Sequence, residues 1–67
     1  MTASQLREFR RAKGWTQAEM ASRTGYSGAA IAQMETGVRR VSLRLRLVLE
    51  AYGAPPVPRG LGVPARD

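Results

Sequence analysis

Residues 16–37 read TQAEMASRTGYSGAAIAQMETG, and the reading of this stretch decides the fold. Thr16 precedes Glu19 by three residues, the spacing of a capping box in which each side chain satisfies an orphan amide at a helix start. Trp15 just before the cap and Met20 just inside the helix match the hydrophobic staple that sets the entry of the chain. A helix over about residues 17–23 results, and Gly25 can turn left-handed at its end because it has no Cβ. Ser27 then caps a second helix. Along that helix Ile31 and Met34 project to one side, whereas Gly28, Ala29, Ala32, Gln33 and Thr36 project to the other. One face reads as core and the other is bare.

Upstream, Thr2 and Gln5 form a second capping box, which predicts a helix from about Ala3 to Lys13 that stops at Gly14. Leu6 and Phe9 face inward on it with Ala12 alongside, leaving Arg7, Arg11 and Lys13 for solvent or phosphate. Downstream, residues 41–52 read VSLRLRLVLEAY, and the pattern is double. Val41, Leu43, Leu45, Leu47 and Leu49 alternate like a strand, while Leu45, Val48, Leu49 and Tyr52 make a helical stripe. Helix is the better reading, because Ser42 is a cap, leucine and arginine are good helix formers, and a lone strand in so short a chain has no partner. Leu43, Leu47 and Ala51 then form a second apolar strip that the small body cannot easily cover.

The chain has 67 residues, which suits one domain, and at this size folding buries only about 60% of the exposable surface. It holds no cysteine and no histidine, so there is no disulfide framework, thiolate nucleophile, soft-ligand metal cluster or imidazole base. Glu19, Glu35 and Glu50 are single carboxylates with helical roles, not an assembled acid–base site. Neither an enzyme, nor a metal site, nor a cofactor is expected. No apolar run approaches the roughly 20 residues needed to cross a bilayer, and the charged first turn does not resemble a signal peptide, so a cytoplasmic protein is expected. Eleven basic residues against five acidic give a formal charge of +6, which favours polyanionic partners. Ten of the eleven are arginine, a bias that genome composition alone also produces, so charge by itself decides little.

After Gly53 the composition changes. Residues 54–67, APPVPRGLGVPARD, hold all four prolines of the chain. The expected division is therefore a folded domain over residues 1–53 and a Pro/Gly-rich tail over 54–67. The tail is either disordered or an arm that lays Val57, Leu61 and Val63 over the Leu43/Leu47 strip of its own or a neighbouring subunit.

The ordered set of Gln17 opening one helix, Ala21 where two helices touch, Gly25 in the turn, Ile31 and Met34 in the core, and Glu35-Thr36-Gly37 closing the second helix resembles the helix-turn-helix of phage Cro and C1-type repressors, the XRE family. The likeness runs over roughly residues 6–53. It implies an all-α, four- to five-helix domain like that of lambda repressor, in which residues 27–35 form the helix that reads DNA. The resemblance also pairs Arg10 with Glu35, tying the first helix to the third. Two positions depart from the pattern: Thr24 stands where an aliphatic residue is usual, and Gly28-Ala29 stand where many relatives carry long polar side chains.

If residues 27–35 lie in a major groove, Gln33 is the long hydrogen-bonding side chain on the outer face, assisted by Ser27 and Thr36, and suits a bidentate contact to adenine. Ala29 and Ala32 can rest on thymine methyls, and Gly28 lets backbone come close. Gln17, at the positive end of a helix dipole, anchors a phosphate with its amide and side chain. Arg39 and Arg40 track the phosphates or enter a narrow minor groove. Arg44, Arg46 and Arg23 are weaker candidates.

One subunit offers too little contact area for tight specific binding, so a homodimer on an inverted-repeat operator is expected, with Leu43, Leu47 and Ala51 at the dimer interface. The resemblance implies a transcriptional repressor of phage type that limits its own synthesis. The alternatives are an antitoxin or anti-CRISPR-associated operon regulator whose tail binds a protein partner, and a charge-driven coating protein with no sequence preference.

Overall fold

A computed structural model describes residues 1–57 of the chain. Four helices succeed one another: α1 (Ala3–Ala12), α2 (Gln17–Thr24), α3 (Gly28–Thr36) and α4 (Leu43–Glu50). Among the described residues all regular structure is helical, and the expected all-α fold stands with four helices. The ambiguous segment 41–52 is helical over Leu43–Glu50, with Ser42 at its N-cap, as its stripe and cap predict.

A hydroxyl residue opens each helix. Thr2, Thr16, Ser27 and Ser42 sit in extended backbone conformation and accept hydrogen bonds from the amides of Gln5, Glu19, Ala30 and Leu45 respectively. At α1 the box is complete, because Gln5 Oε1 also accepts from the Thr2 amide at 2.8 Å. At α2 it is half made. Thr16 Oγ1 accepts from the Glu19 amide at 3.0 Å, but the Glu19 carboxylate turns along the helix and pairs with Arg23 four residues on, at 2.9 Å. An ion pair at that spacing competes with the reach back to the cap, and here it prevails. Gly25 and Gly37 close α2 and α3 with φ of 82° and 84°, a left-handed conformation that any Cβ would strain.

The core gathers Leu6 of α1, Met20 of α2, Ile31 and Met34 of α3, and Leu45 and Leu49 of α4, all fully buried. Ala21, Ala30, Val41 and Ala54 complete it, and Met1, Phe9, Trp15 and Tyr26 pack on its margin. α3 lies against both α1 and α2, and α4 against α2. Ala12 is exposed, contrary to the inward placement expected of it. It occupies the last turn of α1, where the chain is already leaving toward Gly14 and no neighbouring helix covers the methyl. Thr24, the residue that departs from the aliphatic norm, donates its hydroxyl to the Met20 carbonyl at 2.8 Å, so a polar atom at a half-buried position is satisfied within its own helix.

One margin is aromatic. Trp15 packs edge-on against Phe9, with ring centres 6.2 Å apart, and against Tyr52 at 5.1 Å. Arg23 lies over the Trp15 ring at 5.1 Å while holding Glu19, so it is a structural arginine joining α2 to the aromatic run. The segment after Gly53 begins by folding back: Ala54 and Val57 are buried, and the Val57 amide donates to Glu50 Oε2 at 2.8 Å. The packed body thus reaches at least four residues beyond Gly53. Leu61 and Val63, the other residues expected of an arm, lie outside the described residues.

Candidate nucleic-acid interface

The outer side of α3 is set by how its inner side is held. Ala30, Ile31, Met34 and Glu35 are buried, a set spaced at one, three and four residues, so helical geometry turns Gly28, Ala29, Gln33 and Thr36 outward. Those four, Gly28, Ala29, Gln33 and Thr36, are all exposed, and Ala32 is half-buried at the border of the same side. Ser27, at the N-cap, has its oxygen taken by the Ala30 amide at 3.0 Å, while its hydroxyl proton remains to be donated. The Thr36 hydroxyl donates to the Gln33 carbonyl at 3.2 Å, so Thr36 can offer an incoming group its oxygen as an acceptor. A Cβ built on Gly28 meets nothing within 4 Å, which marks the start of this face as open space.

Glu35 is the charged member of the inward set, and three groups make its burial tolerable. Arg10 Nε donates to Oε2 at 2.6 Å, Arg10 Nη2 to Oε1 at 3.0 Å, and Gln17 Nε2 to Oε1 at 3.2 Å. Arg10 Nη1 continues to the Trp15 carbonyl at 2.8 Å, so one guanidinium joins the end of α3, the loop after α1 and its own helix. Burial pushes the Glu35 carboxyl up, but the hydrogen bonds from Arg10 and Gln17, with the charges of Arg10 and Arg7, outweigh it and hold the carboxyl below its ordinary value. The hydrogen bond to Glu35 raises Arg10 in turn. The pairing implied by the family resemblance is therefore present as a two-pronged, largely buried ion pair. Gln17, expected to face a phosphate, spends one amide proton on Glu35; the tie was not legible beforehand, since it joins residues 18 apart through a side chain that is common on exposed helix starts.

Beyond Gly37 the chain returns across this region. The Arg39 amide donates to the Gln33 carbonyl at 3.1 Å, which brings the loop back beside the second half of α3. Val38, Arg39 and Arg40 are exposed, Val38 at 79%, before Val41 and Ser42 enter the core. The structure thus gathers Gln17, the outer residues of α3 and the arginine loop around one helix. Leu43, Leu47 and Ala51 stand apart from them on α4, turned away from buried Leu45 and Leu49; Leu43 is half-buried, Leu47 is 42% exposed and Ala51 is exposed at the helix end.

Two helices joined at Gly25, the second bare on its outer side and flanked by arginines, form the geometry of a helix-turn-helix. A family model described as a helix-turn-helix domain matches residues 3–61. The chain belongs to the helix-turn-helix family. Its members of the XRE and Cro-like type are DNA-binding regulators, and α2 and α3 are the two helices of the motif here. The match runs past Gly53, in keeping with the burial of Ala54 and Val57 in this helix-turn-helix body. No curated protein and no solved structure matches the chain. Among the described residues no helix is long and apolar enough to cross a membrane, and no group of three His, Cys, Asp or Glu is placed to hold a metal ion.

Proposed function

We propose that the protein is a sequence-specific regulator that binds double-stranded DNA as a homodimer on an inverted-repeat operator and represses transcription there, its own promoter included. The observation that carries this reading is α3 itself. It is anchored from behind by Ile31, Met34 and the Arg10–Glu35 pair, and it presents Gly28, Ala29, Gln33 and Thr36 outward beside Arg39 and Arg40. A helix held so firmly keeps its outer atoms in register with base edges, and its small side chains let the helix axis approach the groove floor.

In this assignment Gln33 reads a base, assisted by Ser27 and Thr36; Ala29 and Ala32 touch thymine methyls; and Gly28 allows close backbone approach. The α2 N-terminus with Gln17, and the loop arginines Arg39 and Arg40, hold phosphates. Leu43, Leu47 and Ala51 supply the contact between subunits, and on an inverted repeat the two α3 helices then read half-sites about one turn of duplex, roughly 34–36 Å, apart.

A gel shift of the protein against the DNA upstream of its own gene, with random duplex at the same salt, tests the reading. Specific binding at least about a thousandfold tighter than random binding is expected. Gln33→Ala should lose about 10- to 100-fold on the operator and leave random DNA unchanged. Equal affinity for both duplexes in the wild type points instead to charge-driven coating and rejects the proposal.

A further inference from the structure

The hydroxyls of Tyr26 and Ser42 are hydrogen-bonded to each other, 16 residues apart in sequence. Ser42 Oγ is at the same time the N-cap of α4, accepting from the Leu45 amide at 3.0 Å, so one hydroxyl serves both the helix start and Tyr26. Tyr26 lies in the turn immediately before α3, and Ser42 lies immediately before α4. The bond therefore closes a ring of chain that contains the whole of α3 and the whole arginine loop. Inside that ring the loop has two other moorings, the Arg39 amide on the Gln33 carbonyl and the buried Val41. Around them Val38, Arg39 and Arg40 stand exposed.

We infer that Tyr26 is a positioning residue that, through its hydroxyl on Ser42, sets the Arg39–Arg40 loop against the outer face of α3. Two features argue for the hydroxyl and not merely the ring. The ring packs on the margin of a core that is otherwise complete, which phenylalanine would serve equally. The hydroxyl alone reaches across from the turn of the motif to the far end of the loop, and without it the loop's downstream end is held only by the burial of Val41 and the start of α4. Long arginine side chains amplify a small displacement of their backbone, so the placement of two phosphate contacts rests on that end.

The inference rests on the assignment of Arg39 and Arg40 to phosphate contacts for its DNA readout, but not for its structural one. Tyr26→Phe is the test variant, in the full chain. In native trypsin digestion without DNA, cleavage after Arg39 and Arg40 should quicken several-fold relative to cleavage after exposed Arg11, because loop opening governs access. Ser42→Thr keeps a hydroxyl for both the Leu45 amide and Tyr26 and should digest like the wild type. On operator DNA, Tyr26→Phe should weaken binding by about three- to tenfold, the range for one lost hydrogen bond, and reduce the salt slope by about one to two. In an Arg39→Ala/Arg40→Ala background the same change should have no further effect. Loop cleavage unchanged, or quickened equally at every site, overturns the inference, as does full additivity with the arginine substitutions. A wild-type protein that fails to discriminate its operator would remove the proposed function while the digestion result still decides the role of Tyr26.

Discussion

Replacing Arg10 with methionine tests the central physical argument, because it removes the counter-charge of a carboxylate that has almost no access to water. The Glu35 side chain is 2% exposed and the Arg10 side chain 13%, so the pair is buried on one side and slightly wet on the other. Breaking a fully buried pair costs about 3–5 kcal/mol; slight exposure and the surviving Gln17 bond at 3.2 Å bring the expected loss to about 2–4 kcal/mol. A domain of this length has a total stability of roughly 3–10 kcal/mol, so the variant should be partly unfolded at room temperature or close to it. For a domain this small the loss corresponds to a Tm drop of about 10–25 °C.

Acid dependence makes the test sharper. In the wild type the Glu35 carboxyl is held below its unfolded value, so the unfolded chain takes up the proton first and stability falls as pH drops below about 4.5. In Arg10→Met burial is opposed only by the Gln17 bond and the Arg7 charge, so the folded value rises toward or above the unfolded one, and the loss of stability on acidification should shrink or reverse. Urea titrations followed by circular dichroism between about pH 4 and 7 read both trends. Arg10→Met/Glu35→Leu should recover most of the loss, since a buried pair is replaceable by apolar volume. A single variant that melts within about 4 °C of the wild type, or that loses stability on acidification as the wild type does, would refute the reasoning.

Leu47→Glu should leave the thermal melt nearly unchanged, since the side chain is 42% exposed, while shifting sedimentation equilibrium toward monomer and weakening operator binding; unaltered assembly would remove α4 from the subunit contact. At the start of α2, Thr16→Ala should destabilise by about 1 kcal/mol through loss of the cap, whereas Glu19→Gln should change stability by less than about 0.5 kcal/mol because its carboxylate serves an exposed ion pair and not the cap. Thermal denaturation separates the two, and equal effects would mean the box closes in solution. Gly25→Ala should cost about 1–2 kcal/mol at its φ of 82°, while Gly28→Ala, helical and unobstructed, should not destabilise; a harmless Gly25→Ala would show that the turn relaxes.

Elements governed by near neighbours were legible in the chain. Hydroxyl caps, glycine stops and the Ile31/Met34 spacing act over three or four residues, so they name the helices and their bare side before any fold is known. Where two local interactions compete for one side chain, the sequence does not say which prevails: Glu19 can serve its cap or Arg23, and the fold gives it to Arg23, which also lies over Trp15. Ala12 shows the same limit in packing, since periodicity assigns a face but not the presence of a neighbour to cover it.

What the sequence determined, then, is a small basic all-α body with a glycine-jointed helix pair and one helix stripped of bulk on its outer side. Tertiary structure alone decided that Gln17 shares Glu35 with Arg10, that Tyr26 reaches Ser42, and that Ala54 and Val57 close over the core behind Gly53. These contacts join residues far apart along the chain or hinge on which of several surfaces is left uncovered. Their energy comes from desolvated polar groups finding partners in three dimensions, and no periodicity encodes that meeting.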